Sequence, residues 1–452
     1  MPRLPARVTS RALPRTAAGF AAAVALVAAP LTGALPAPAA RAANPVTPGR
    51  FTGYGFDQCL APNQRAMDAW LNRSPYLAVG IYISGASRGC PVQPNLTPTW
   101  VRTQLARGWR LLPITLGPQA SCTTRERYLR QVRISPVATA GYRTARAQGR
   151  LEATRAVEEA RRLGIVRRST LWYDLEAFDT SPTRCRESAL SFLAAWTNQL
   201  HRHGYVSGVY SSAASGIAML DDARVERPRR YRMPDLVWIA DWNGRANAAS
   251  SYVRSSGWTP HRRVHQYRGG HHETYGGVRI NIDSNWLDVG RGSWVAREPA
   301  HCGGAATFNH PRYAMRSVGS RGALVRTVQC LLRVRGAYAG PVDGGYDEGL
   351  GAAVRDYRVR RGLTAGTATT QATWMSLLSQ GDRPVLKRGS ASTAVRRVQR
   401  ALNAADAAGL TVSGVFDART TLAVKRYQSA HGWPRSGVVT SAVWQRLQAG
   451  IG

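Results

Sequence analysis

Leu171-Trp172-Tyr173-Asp174-Leu175-Glu176 is the stretch on which the fold turns. It is apolar and aromatic, then ends in two acids at alternate positions. Side chains on a strand point alternately to its two faces, so Asp174 and Glu176 share one face about 6.6 Å apart. Two acids on the inner side of a buried strand are costly unless they are solvated, paired or used. Seven further strand candidates lie around it, at 54–57, 77–83, 110–116, 206–211, 236–241, 263–267 and 280–283. Helical spacing separates several of them, at 63–71, 99–107, 144–163 and 186–203. Eight strands spaced by helices or long loops predict an α/β fold, a (β/α)8 barrel whose active site sits at the C-terminal ends of the strands. A doubly wound sheet would carry a Gly-rich phosphate loop after its first strand, and Gly55-Phe56-Asp57-Gln58-Cys59 is no such loop.

The other strand ends repeat the acidic theme. Asp57 closes the first candidate, Asp241 the sixth and Asp283 the eighth, while Gln266 and Tyr267 close the seventh. Carboxylates converging on one mouth suit glycosidic cleavage, which needs one protonated acid for the leaving oxygen and one ionised partner. Crowding like charges raises one pKa and supplies the protonated member. Tyr82, Trp172, Tyr173, Tyr210, Trp238, Trp242 and Trp286 offer aromatic faces, some for stacking on sugar rings and most for core. No cofactor is expected. His265, His271, His272 and Glu273 match no metal-ligand spacing, and neither a CxxC nor a HExxH is present, so no metal site is assigned.

The chain has 452 residues and a formal net charge of +35, with 44% hydrophobic residues, which excludes wholesale disorder. Only Lys387 and Lys425 are lysines, so nearly all the positive charge is arginine. The arginines are scattered and lack interleaved stacking aromatics, which argues against nucleic acid and leaves an anionic envelope as partner. Arg3, Arg7, Arg11 and Arg15, an apolar run over 17–27, and Ala40-Arg41-Ala42 have the anatomy of a secretory signal over 1–42. Export to an oxidising compartment predicts three disulfides from the six cysteines. Of fifteen connectivities the sequential one is taken here: Cys59–Cys90, Cys122–Cys185 and Cys302–Cys330.

Beyond the barrel candidate the chain repeats at an offset of 70 residues. Gly319 falls on Gly389, Gln329 on Gln399, Asp347 on Asp417, Tyr357 on Tyr427 and Trp374 on Trp444. A gapless register of this kind reads as a duplication. Each copy predicts a few short helices, over 317–380 and 385–449, after a linker over 296–316.

The second copy, with Val395-Arg396-Arg397-Val398-Gln399-Arg400-Ala401-Leu402, Gly414-Val415-Phe416-Asp417, Ala423-Val424-Lys425-Arg426-Tyr427, Gly432 and Trp444, resembles the small helical peptidoglycan-binding domain of secreted wall enzymes. The first copy resembles it less closely, with Asp356-Tyr357-Arg358 where the second has Arg426-Tyr427-Gln428. Over 51–295, Gly55-Phe56-Asp57, Tyr173-Asp174-Leu175-Glu176, Trp238-Ile239-Ala240-Asp241-Trp242, His265-Gln266-Tyr267 and Ile282-Asp283 resemble, in order, the strand-end motifs of family 25 muramidases. Ala78-Val79-Gly80-Ile81-Tyr82-Ile83, Pro94-Asn95-Leu96-Thr97 and Ser207-Gly208-Val209-Tyr210-Ser211-Ser212 are similar to the glycoside-hydrolase-like domain of secreted actinobacterial proteins. This resemblance implies a TIM-barrel-like fold and a hydrolase-like site. It makes Glu176 the general acid, Asp174 and Asp283 the stabilising or base-like carboxylates, and Asp57 an orienting group. Asp241, Gln266, Tyr267, Tyr82, Tyr210 and Trp242 would contact substrate. The expectation is a secreted, wall-associated monomer that cleaves peptidoglycan glycan strands and is tethered by its tail. No membrane span is expected after signal cleavage. The alternative is a non-catalytic glycan-binding wall protein that keeps a hydrolase-like barrel.

Overall fold

Eight strands close on one another in chain order in the computed structural model, which describes residues 43–452. The expected export signal over 1–42 lies outside the described residues. The strands are β1 Phe51–Asp57, β2 Ala78–Ser84, β3 Arg110–Thr115, β4 Thr170–Asp174, β5 Val206–Ser212, β6 Leu236–Ala240, β7 Arg262–Tyr275 and β8 Val278–Val289. Around them lie α1 Gln64–Arg73, α2 Pro98–Ala106, the single turn α3 Glu126–Leu129, α4 Thr139–Arg162, α5 Thr183–Arg202 and α6 Ala218–Glu226. Local chemistry starts the first two helices. The Asn63 side chain accepts from the Ala66 N–H, and Thr97 accepts from Trp100 ahead of Pro98 at the first helical turn. Alternation then sorts the strands into an outer layer against the helices and a lumen.

The lumen is packed rather than hollow. Trp172 and Trp238, on the same strand faces as the mouth residues Asp174 and Ala240, are buried and meet edge to face at 5.5 Å. Gly208 makes room for them, because a Cβ there would lie 2.3 Å from the Trp172 ring. The aromatics Trp172, Tyr173 and Trp238 are therefore core and offer no sugar platform.

The barrel departs from eight identical βα units in one respect. β8 is antiparallel to both β7 and β1, and β7 and β8 form a long hairpin through Gly276 and Gly277 with no helix between them. Two-residue hairpin loops favour residues with positive φ, which glycine supplies, and these two have φ of +57° and +75°. This corrects the reading of Asp283 as the end of a parallel strand. Asp283 lies within β8 and reaches the mouth because reversed β8 sets it directly opposite Asp57.

All three disulfides pair sequentially, Cys59–Cys90, Cys122–Cys185 and Cys302–Cys330. The C-terminal part holds α7 Ala323–Val334, α8 Glu348–Arg360, α9 Gln371–Ser379, α10 Thr393–Asp406, α11 Ala418–Ala430 and α12 Ser441–Gln448. Its contacts recur 70 residues apart. Trp374 Nε1 donates to Ala314 O and Trp444 Nε1 to Pro384 O, while Gln329 and Gln399 each close a turn by accepting from Gly344 and Gly414. The glutamine of each copy is thus structural. Val325, Leu332, Trp374, Val395, Leu402 and Trp444 belong to one shared core, so the two halves of the tail are fused.

The segment expected as a linker, 296–316, is held down rather than free. Phe308 and Tyr313 are buried in the tail core, Arg400 pairs with Glu298, and Arg396 donates to Ala296 O at 2.6 Å. The tail also grips the barrel at the end opposite the mouth. Lys387 is 1% exposed, and its Nζ donates to the carbonyls of Trp70, Ser74 and Tyr76 at 3.2, 2.7 and 3.1 Å. These carbonyls lie in the last turn of α1 and just beyond it, and burial pushes the Lys387 amine well below the ordinary lysine range. Beside it Gly389, with φ of +93°, lies so close to Phe51 that a Cβ would approach that ring to 2.4 Å. Among the described residues no helix is long and apolar enough to cross a membrane.

Candidate active site

Four carboxyl groups from three strands meet at the mouth. Asp57 comes from the end of β1, Asp174 from the end of β4, Glu176 from two residues beyond it, and Asp283 from β8. β4 stops at Asp174, short of the expected 171–176, yet the chain stays extended. The Gln119 side chain substitutes for a neighbouring strand: its Nε2 donates to Asp174 O at 2.9 Å and its Oε1 accepts from Glu176 N at 2.8 Å. On the other side the Leu175 N–H donates to Tyr210 O.

The four acids divide by depth. Asp57 and Asp174 are buried, while Glu176 and Asp283 are partly exposed. Asp57 accepts from Asn285 Nδ2 at 2.6 Å and from Gln266 Nε2 at 3.2 Å, and its carboxyl hydrogen-bonds that of Asp283. Two carboxyls in that contact must share a proton. Burial, then the charge of Asp283, pushes the Asp57 carboxyl well above the ordinary range. Asp174 accepts only from Tyr82 OH, at 3.3 Å, and its Oδ1 has no hydrogen-bond partner among the described residues. Burial first, then Glu176 and Asp57, pushes Asp174 well up too. Asp283 is pushed up to about 6, mainly by burial, with Glu176 adding and the His271 ring opposing. Glu176 lies 3.2 Å from Arg125, and Tyr128 OH donates to its Oε1 at 3.4 Å.

Polar aromatics frame the acids. Tyr82 and Tyr210 feel the charges of Asp174, Asp57 and Glu176, and burial raises both phenols, which keeps them donors. Tyr210 OH and Trp242 Nε1 both donate to Gln266 Oε1, at 3.0 and 2.9 Å. Gln266 thus links Asp57 to an indole that is 67% exposed, one flat apolar face beside the acids.

Two expected contact residues lie elsewhere. The Asp241 carboxylate accepts from Asn243 and Ser250 of its own loop, at 3.0 and 2.9 Å, so it ties the loop rather than joining the acids. Tyr267 follows Gln266 on one strand and so faces the opposite side, where it meets Tyr76 and Ser284 of the outer layer. His265 places both ring nitrogens 2.7 Å from the carbonyls of Asn247 and Asp241, fastening the same loop. Trp286 packs edge to face on Tyr54, with Arg388 over its ring.

Several site residues were not foreseen. Asn285 stands two residues after Asp283, so strand alternation alone places it on the same face. Gln119, Arg125 and Tyr128 come from the segment between β3 and α4, whose one helical turn, α3, is too short to carry a periodic signal.

Residues 68–287 match the family model described as Rv2525c-like, glycoside hydrolase-like domain. Residues 391–447 match the putative peptidoglycan binding domain. No curated protein matches the chain. Among solved structures the chain is similar to an uncharacterized B. stearothermophilus protein, at 20% identity over 52% of this chain and 95% of that one, with a TM-score of 0.33. It is similar to the Mycobacterium tuberculosis Tat-secreted protein Rv2525c at 13% identity, over 53% and 97% of the two chains, with a TM-score of 0.34. A family 25 glycosyl hydrolase from Bacillus anthracis aligns at 12% identity, over 55% and 94%, with a TM-score of 0.31. The chain thus carries a glycoside hydrolase-like domain similar to the Rv2525c-like model at 68–287 and, after it, a putative peptidoglycan-binding domain at 391–447.

Proposed function

We propose that this chain, which joins a glycoside hydrolase-like barrel to a peptidoglycan-binding tail, is a secreted muramidase-like hydrolase of peptidoglycan glycan strands. The observation that carries the reading is the meeting of Asp57, Asp174, Glu176 and Asp283 at one mouth, two buried and two reachable from outside. Glu176 faces the substrate as the acid that protonates the leaving oxygen. Asp283, hydrogen-bonded to Asp57, is the second reachable carboxyl, which steadies positive charge at the sugar carbon or activates water. Asp174 below them takes a hydrogen bond from Tyr82 and limits how much negative charge the mouth holds at once. Trp242 supplies a stacking face, and the tail raises the local concentration of the barrel on an insoluble substrate.

One observation favours a second reading, a non-catalytic glycan-binding protein. Arg125 and Tyr128 already engage both oxygens of Glu176. Turnover requires Arg125, half-exposed, to give way to the glycan. Reducing ends released from purified peptidoglycan by the full chain and by Glu176→Gln decide between the readings. Release that depends on Glu176 supports hydrolysis, and equal release by both proteins defeats it.

A further inference from the structure

On the helical outer layer, two adjoining cavities of about 370 and 690 Å3 share Asn198, Arg230, Tyr231 and Arg232. α4 and α5 add Arg146, Arg150 and Arg202 to the first, and the second gains Arg229 and Arg262. Among the described residues, none of these seven arginines has a carboxylate within 4 Å. The one acid in either lining, Asp235, is occupied: its Oδ2 sits 2.7 Å from His201 Nε2 and accepts from Ser207 N at 2.8 Å. Arg202, Arg229, Arg230, Arg232 and Arg262 are all exposed. Most of the chain's arginines likewise lack a carboxylate partner, so the local feature is their concentration: seven line one trough that holds a single, occupied acid, and of these Arg146 already donates to the carbonyls of Ala140 and Gly141.

We infer that this trough is a second binding site, for a linear phosphodiester-linked polyanion attached to the same wall that the tail recognises. Guanidinium forks match phosphate oxygens in pairs, and a row of them suits a repeating phosphate better than a single ion. The lining disfavours nucleic acid. Trp258 is buried, Tyr142 packs against the barrel core, and Tyr231 is held by Glu187, Arg227 and Arg230, so the lining has no aromatic standing free for a base. Three disulfides and the peptidoglycan-binding domain set the chain in an oxidising, wall-side setting. The site is independent of catalysis, since none of its arginines contacts the four acids of the mouth.

The test is binding of the full chain to immobilised poly(glycerol phosphate). Wild type is compared with a variant carrying Arg202→Gln, Arg229→Gln, Arg232→Gln and Arg262→Gln. A control of equal charge carries Arg65→Gln, Arg279→Gln, Arg360→Gln and Arg419→Gln, all exposed and unpaired. Losing four phosphate contacts should weaken binding by about tenfold or more and flatten its salt dependence, whereas the control should lose less than about threefold. Equal losses would mean diffuse charge and overturn the site. Loss of duplex DNA binding with polymer binding unchanged would also overturn it. Should the fourfold variant fold poorly, Arg232→Glu alone must still reduce polymer binding, and an unchanged affinity counts against the proposal.

Discussion

Replacing Asp283 by Asn turns the acid cluster into a stability measurement. Asp283 moves from an ordinary carboxyl near 3.8 to about 6 in the folded chain, chiefly through burial. The sign follows from linkage. Below about pH 3 the group is protonated folded and unfolded, and its contribution is fully present. As pH rises through 6 the unfolded chain loses the proton first, so wild type loses stability over that window. The gap corresponds to an upper bound of about 3 kcal/mol, reached above pH 7. Asn stays neutral throughout. The stability difference, variant minus wild type, should therefore be constant below about pH 3, rise from about pH 4 to 6, and level off above about pH 7. The assay is urea unfolding followed by tryptophan fluorescence, with disulfides kept oxidised, at intervals from about pH 2.5 to 8. Turnover should fall in the same variant if Asp283 has the role proposed for it above. A difference that does not change with pH, or that falls as pH rises, would refute the reasoning that burial strains this acid.

Other perturbations test other parts of the account. Lys387→Met removes the hydrogen bonds that one buried lysine gives to three carbonyls and should destabilise the barrel–tail contact by about 3 kcal/mol, read as a lower Tm and faster proteolysis between barrel and tail. An unchanged Tm would show that the lysine does not hold the two parts together. Trp242→Ala should raise KM for peptidoglycan several-fold while leaving Tm nearly unchanged, because the indole is 67% exposed. A lowered Tm with unaltered KM would make Trp242 a packing residue. Gly208→Ala should cost at least about 2 kcal/mol of barrel stability, since the new methyl meets the Trp172 ring. A neutral effect would mean that the lumen is looser than drawn.

Most of the barrel was legible because its signals are local. Apolar runs ending in acids mark strand ends, and all eight strand candidates overlap observed strands. The direction of β8 was not legible in the same way. An acid after Ile282 looks like a strand end whether the chain then stops or continues to Val289, and only the pairing with β1 and β7 decides. Tyr267 shows the opposite case. Its neighbour Gln266 faces the mouth, so alternation alone excludes Tyr267 from it, and the resemblance hid that simple rule. Glu176 lies beyond its strand, and its extended geometry depends on Gln119, a contact 57 residues away in sequence. Lys387 carried a signal in composition, as one of two lysines in an arginine-rich chain. Its docking role still depended on tertiary contact with α1, which no periodicity encodes.

Borohydride reduction and mass spectrometry of peptidoglycan fragments would show which sugar carries each new reducing terminus. The account predicts fragments ending in reduced muramic acid with the wild-type chain and none with Glu176→Gln. Intact strands after prolonged incubation with a folded, wall-bound chain would contradict it.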